Sequence, residues 1–387
     1  MPFAEHSIES AHISQGQNFK IGKNSIIRSG EVTLGDNVTI GDNVEVICDK
    51  LVLGDNCKIG NNTVLLCPDV TLSEGCAIGN SVQCELNEYL RLGKYSVISN
   101  RVTIAGQGVS SGTFLWLKND VIIGGGGSQG PNAYLEMGNS VAVMDKAFIN
   151  LSEKVTIGDG AALSFGVIVL THGAAQPLLM GYAAKFAPVN IGAQSTVYVN
   201  SVILPGSSIG EYSTIAACSL VNKDIPAYAL ASGNPARVIV KGKGNYPRPL
   251  EGSEIDEQVH SVLTDYAATL APKGLTAHIL TSACPFTMSV NFQGKVYTIV
   301  FFGNIADNYD GSAPDISLSY NEVPDGKKGK VHFDLQHLKT SGELGLLAED
   351  LRDYLRRRAI RIFTDKPFRN IPLSNLTRLK EKRKNAL

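Results

Sequence analysis

The chain has 387 residues, and its 35 Lys and Arg nearly cancel 36 Asp and Glu, so its charge balance implies no nucleic acid or other polyionic partner. Seven Cys, an odd number without a Cys-x-x-Cys pair, argue against a disulfide framework or a zinc knuckle. The start, MPFAEHSIESAH, carries charge early and lacks an apolar h-region, and no apolar stretch approaches the roughly 20 residues of a membrane span, so a cytoplasmic, or at least soluble, protein is expected.

After a lead-in over 1–14, Ile-Gly pairs stand at Ile21-Gly22, Ile40-Gly41, Ile59-Gly60 and Ile78-Gly79, each 19 residues after the last. Within that period aliphatic residues step by six, as in Leu34, Ile40 and Val46, then Leu53, Ile59 and Leu65. Cys57 and Cys76, like Cys48 and Cys67, keep the same period and read as small fillers at equivalent positions. In LGDNVTIGDNV, Leu34 and Ile40 point inward with Val38 and Val44, while the Gly-Asp-Asn triplets turn the corners. Three corners per coil make a triangular prism whose coils stack by parallel pairing, each stabilised by its neighbours.

The count resumes at Leu92, at Met137 and at Ile157, and is cleanest over Ile191, Val197, Ile203, Ile209, Ile215 and Val221. Interruptions lie near 106–132, including the run Gly124–Gly127, and at 172–188. The Gly run lacks a following Gly-Lys-Ser/Thr and reads as a flexible loop rather than a phosphate cradle. Hexads extend over 15–240, a Gly/Pro-marked linker covers 241–250, and a small α/β domain is expected over 251–387. There Glu254–Leu270 and Glu343–Arg358 have helical spacing, and Thr287–Val290 with Tyr297–Phe302 reads as a hairpin. The basic end, Leu379-Lys-Glu-Lys-Arg-Lys, reads as a solvated tail, with a weak membrane-surface or glycan contact as the alternative.

These in-phase hexads resemble the hexapeptide-repeat, left-handed parallel β-helix family. The resemblance supplies the left hand; the general crossover rule would give the right. It implies an all-β left-handed parallel β-helix carrying one of three functions: acyl-CoA-dependent acyl transfer, zinc-dependent hydration, or a non-catalytic assembly or glycan-binding scaffold. Zinc chemistry needs three His ligands, and of seven His only His172 lies within the coils, so no metal is expected.

Acyl transfer fits better. In sugar and antibiotic O-acetyltransferases of this family a His follows a hexad strand and precedes a loop that leaves the prism. LTHGAAQPLLMGYAAKFAPVNIG resembles that arrangement, with His172 in the His position. An imidazole titrates near neutrality, so it can take the proton of an acceptor hydroxyl attacking acetyl-CoA and return it to the leaving thiolate. The resemblance places Asn150 at the acceptor pocket, and Glu153, three residues on, is read as a carboxylate partner that orients the imidazole. NKDIPAYALASGNPARVIV is similar to the C-terminal coil of CoA-dependent members, implying Lys223 and Arg237 near the CoA phosphates and the Ala217 backbone along the pantetheine arm. One departure is Tyr198, at a corner where relatives carry Gly, which is expected to narrow or reroute the CoA groove. The resemblance thus implies a homotrimeric, acetyl-CoA-dependent O-acetyltransferase acting on a sugar or surface-glycan precursor, with N-acetylation of an amino sugar as the alternative.

Overall fold

Each rung of the first unit is set by what its Gly-Asp-Asn corner bonds to in the next. The Asp36 carboxylate accepts the backbone N–H of Gln17 at 2.7 Å, and Asp55 accepts that of Asp36 at 2.8 Å. Asn18, Asn37 and Asn56 hold positive φ, a conformation Asn tolerates, and their amides hydrogen-bond from coil to coil at 3.0 and 3.3 Å. Gly must precede them because a Cβ on Gly16 would lie 2.6 Å from the carbonyl carbon of Gly35. The corner triplet therefore specifies stacking as well as turning.

A computed structural model describes residues 6–282, 284–303, 311–323 and 325–384, which divide into two units, Met1–Pro249 and Leu250–Leu387. The first is a parallel β-solenoid built on a 16-stranded and a 12-stranded sheet. Its register repeats the hexad count: Ile21, Ile40, Ile59 and Ile78 pair in succession, and the ladder continues through Ile98, Leu117, Val143, Leu163, Val197 and Ile215. Side chains along this ladder are buried beyond the first coil, each contributing about 1.5–3 kcal/mol over exposure. Cys57, Cys67, Cys76 and Cys84 are buried in the same core, whereas Cys218 is exposed.

Three features differ from the sequence reading. His6–Gln15 already pairs in parallel with Ser25–Leu34, so the stack begins inside the expected lead-in; residues 1–5 of that lead-in lie outside the described residues. The interruption expected over 106–132 is shorter, because Thr103–Ser111, Trp116–Leu117 and Ile122–Gly124 remain in register. That coil escaped the count because Ser111 stands in the column of Leu72, Leu92, Met137 and Ile157. At the far end Ala229–Ser232 pairs antiparallel with Arg237–Lys241.

The second unit carries helix α1 (Gly252–Leu270), a six-stranded sheet, α2 (Leu346–Arg357) and α3 (Ser374–Lys384). Phe286–Phe292 and Lys295–Phe301 form the expected hairpin, while Ile316–Ser319 and Val331–Asp334 join in parallel. Leu263, Phe286, Phe301, Phe333, Leu351 and Leu355 fill its core. Asp350, fully buried, receives Lys273 Nζ at 2.6 Å, the Tyr266 hydroxyl at 3.1 Å and the Ile371 N–H at 2.7 Å. Leu379–Lys384 of the basic end belongs to α3, with Leu379, Lys380 and Glu381 exposed.

Candidate active site

The second interruption leaves the stack at Thr171 and returns at Val189. At its base His172–Gly173 pairs antiparallel with Lys185–Phe186, and the Ala187 N–H donates to the Thr171 carbonyl at 3.0 Å. The imidazole is thereby held at the root of a loop, with the Phe186 ring stacked on it at 5.6 Å. Beyond this root the apolar side chains of Leu178, Leu179 and Met180 are exposed.

Asn150 ends the strand Phe148–Asn150, paired with Gly124 of the preceding coil. Its Nδ2 donates to the carbonyls of Gly124 and Gly126 at 3.1 and 2.9 Å, so its Oδ1 must face the other way. That oxygen accepts the Thr171 hydroxyl at 2.8 Å and lies 2.8 Å from His172 Nδ1. The Ser152 hydroxyl donates to the Gly126 carbonyl at 2.7 Å, and its oxygen also lies 2.7 Å from His172 Nδ1. Both groups facing Nδ1 are acceptors, so the proton sits on Nδ1 and the lone pair on Nε2. Asn150, Ser152 and Thr171 are buried, which makes this hydrogen-bonded set costly to distort.

The structure joins His172 to Asn150 but not to Glu153, whose carboxylate accepts Asn132 Nδ2 at 2.9 Å instead. Ser152 and Thr171 were missed: Thr171 precedes the His in Thr-His-Gly, and Ser152 lies two residues after Asn150, but neither spacing reveals a shared partner. The Gly124–Gly127 run is not a slack loop. Its carbonyls hold Asn150 and Ser152, and Gly127, at φ 81, sits where a Cβ would be 2.9 Å from the Ser152 Cβ.

The other predicted residues lie on later coils. Tyr198 occupies a corner, its ring exposed, with its N–H donating to Ile215 at 2.9 Å. Ala217 and Lys223 are exposed, and Arg237 is an exposed residue of the antiparallel strand. Among the described residues none of these four has a side-chain hydrogen bond or ion pair with His172.

No family model matches the chain. It is 33% identical over 100 residues to YvoF of Bacillus subtilis, named as a candidate acetyltransferase, covering 26% of this chain and 55% of that protein. Over 44 residues it is 54% identical to the dTDP-3-amino-3,6-dideoxy-alpha-D-galactopyranose 3-N-acetyltransferase of Aneurinibacillus thermoaerophilus, covering 11% of this chain and 23% of the enzyme. A crystal structure of a hexapeptide-repeat acetyltransferase from Vibrio cholerae overlaps 28% of this chain and 62% of its own, at 25% identity and a TM-score of 0.26. An overlap that loose carries no residue correspondence. The chain thus spans about half the length of the first relative, 55%, and less of the second, 23%. The resemblance to hexapeptide-repeat acyltransferases holds, since the relatives are acetyltransferases, and the similarities support an acyltransferase.

Proposed function

We propose that the protein transfers acetyl from acetyl-CoA to a hydroxyl of a sugar or glycan precursor, with His172 as general base. The observation that carries this reading is the pair of acceptors on His172 Nδ1, which leaves the Nε2 lone pair for an incoming proton. In the forward step Nε2 takes the acceptor hydroxyl's proton as the oxygen attacks the thioester carbonyl. The tetrahedral adduct collapses with C–S cleavage, and the imidazolium returns the proton to the leaving sulfur. Asn150 and Ser152 hold the ring through Nδ1 as charge develops. Lys223 and Arg237 are the proposed contacts to the nucleotide phosphates, the Ala217 backbone receives the pantetheine arm, and Tyr198 shapes the passage beside it.

A homotrimer is proposed, with the exposed Leu178, Leu179 and Met180 in support of association. Acetyl-CoA as donor goes with a cytoplasmic setting, and among the described residues no helix is long and apolar enough to cross a membrane.

The similarity to an amino-sugar N-acetyltransferase favours one second reading, an amine acceptor. The test mixes purified protein, acetyl-CoA and panels of sugars and amino sugars, and follows thiol release. Mild hydroxylamine then separates the products, since an ester is cleaved and an amide survives. His172→Ala is expected to lose thiol release; release at the wild-type rate with the true acceptor would sink the mechanism. No release with any acceptor would favour a non-catalytic scaffold.

A further inference from the structure

The backbone register draws a straight line from the candidate active site toward the start of the solenoid. Asn150 pairs with Gly124, which lies over Ala105, and Ala105 continues through Glu85 and Leu66 to Ile47. Along that same edge lies a groove of about 490 Å³. Ile47, Leu66 and Pro68 give it an apolar lining, and Asp49, Glu85 and Asn87 add two carboxylates and an amide. No Lys, Arg or His lines it among the described residues.

The groove and the histidine share a structural part. Ser128 and Gln129 line the groove, while Gly124 and Gly126 of the same segment hold Asn150 and Ser152 through their carbonyls. Gln107 Nε2 fixes the groove end of this segment by donating to the carbonyls of Gln129 and Gly130 at 3.1 and 3.0 Å. Two rungs separate Ala105 from Asn150, roughly 10 Å at about 4.8 Å per rung. A chain lying in the groove would therefore reach His172 by following the prism axis.

We propose that this groove is the distal part of the acceptor site and takes the body of a hydroxyl-rich, non-anionic oligosaccharide. The inference rests on the acetyl-transfer reading for what happens at the chain's reactive end, but binding in the groove does not. Carboxylates accept from sugar hydroxyls and amides accept and donate, the apolar lining meets the C–H faces of the rings, and the two lining carboxylates repel an anionic chain. A single sugar would fill only the end beside His172, so chain length is a determinant of affinity.

The full-length protein is probed on a glycan array of neutral, amino and anionic oligosaccharides with their monosaccharides, and the strongest hit is titrated by calorimetry. Retention of non-anionic oligosaccharides over their monosaccharides is expected. The double variant Glu85→Ala/Asn87→Ala, altered at exposed outward positions of one strand, is expected to bind at least about tenfold more weakly. His172→Ala should keep the binding. A preference for anionic chains, no retention of any oligosaccharide, or undiminished binding by a folded double variant would overturn the proposal. If binding depends on Glu85 and Asn87 while no acceptor yields thiol release, the groove stands and the acetyl-transfer reading falls.

Discussion

His172 and Asn150 meet through Nδ1 and Oδ1 at 2.8 Å, and the orientation of the Asn150 amide is fixed independently by two glycine carbonyls. The protonation pattern of the imidazole therefore follows from a backbone feature two coils' worth of sequence away. Asn150→Ala is expected to lower kcat about 100-fold, toward the lower end of what a positioned acid–base group supplies. Ser152→Ala should cost less than about tenfold, since one neutral hydrogen bond is lost and Asn150 still accepts. Nitrogen-15 NMR of His172 checks the cause: the Nδ1–H form should persist in Ser152→Ala and become mixed in Asn150→Ala.

Glu153 offers the opposite case. Its carboxylate is taken up by Asn132 rather than by the imidazole. Glu153→Gln should leave kcat within about threefold of wild type, an exposed contact of this kind contributing under about 1 kcal/mol. A drop as large as that of Asn150→Ala would restore Glu153 as the orienting carboxylate.

The column of Leu72, Leu92, Met137 and Ile157 carries a polar residue, Ser111. Ser111 Oγ is buried and has no hydrogen-bond partner among the described residues. Ser111→Ala removes that unsatisfied hydroxyl and is expected to stabilise the first unit by about 1 kcal/mol. The only Trp of the chain, Trp116, lies in the same coil, so its fluorescence during urea unfolding reports the shift.

In the second unit, Asp350→Asn leaves the Lys273 ammonium buried without its charge partner. A destabilisation of about 3–5 kcal/mol is expected. It should appear in the tyrosine near-ultraviolet circular dichroism, to which Tyr266 and Tyr354 contribute, with the Trp116 transition unchanged.

Burial alone would raise the Asp353 carboxyl, but hydrogen bonds from Arg357 and Arg356 overcome it and hold the group below its usual range. A carboxyl depressed in the folded state stabilises the fold above its unfolded value near pH 4, about 3.9 for Asp, and that contribution fades as pH falls through the lower folded value. The urea midpoint of the second unit should therefore drop on acidification below about pH 4, and Asp353→Asn should flatten that part of the drop. An acid limb identical in the variant would assign the loss to other groups.

The solenoid was legible because each inward residue is chosen by its own coil and repeated by the next, so local spacing encodes a global stack. Ser111 hid one coil for the same reason, since a single polar residue in a column erases the count there. His172 and Asn150 were legible as motif residues, but Ser152 and Gly126 were not. Their contact joins a coil to a loop of the preceding coil, 26 residues apart, and no periodicity reports it. In the second unit the hairpin could be read from local alternation. Ile316–Ser319 could not, because it is buried at all four positions, which leaves no alternation to read, and it pairs in parallel rather than as a hairpin with the strands on either side of it in the chain.

Parallel stacking of near-identical coils has no intrinsic stopping point, since each rung presents the same row of amides and carbonyls that it received. Arg237–Lys241 runs the wrong way for another coil to follow, and its charged ends and the twist of an antiparallel pair make a poor template. The strand therefore acts as a terminator against end-to-end fibre growth. What reads along the chain as the last piece of a repeat works as the device that keeps the protein discrete.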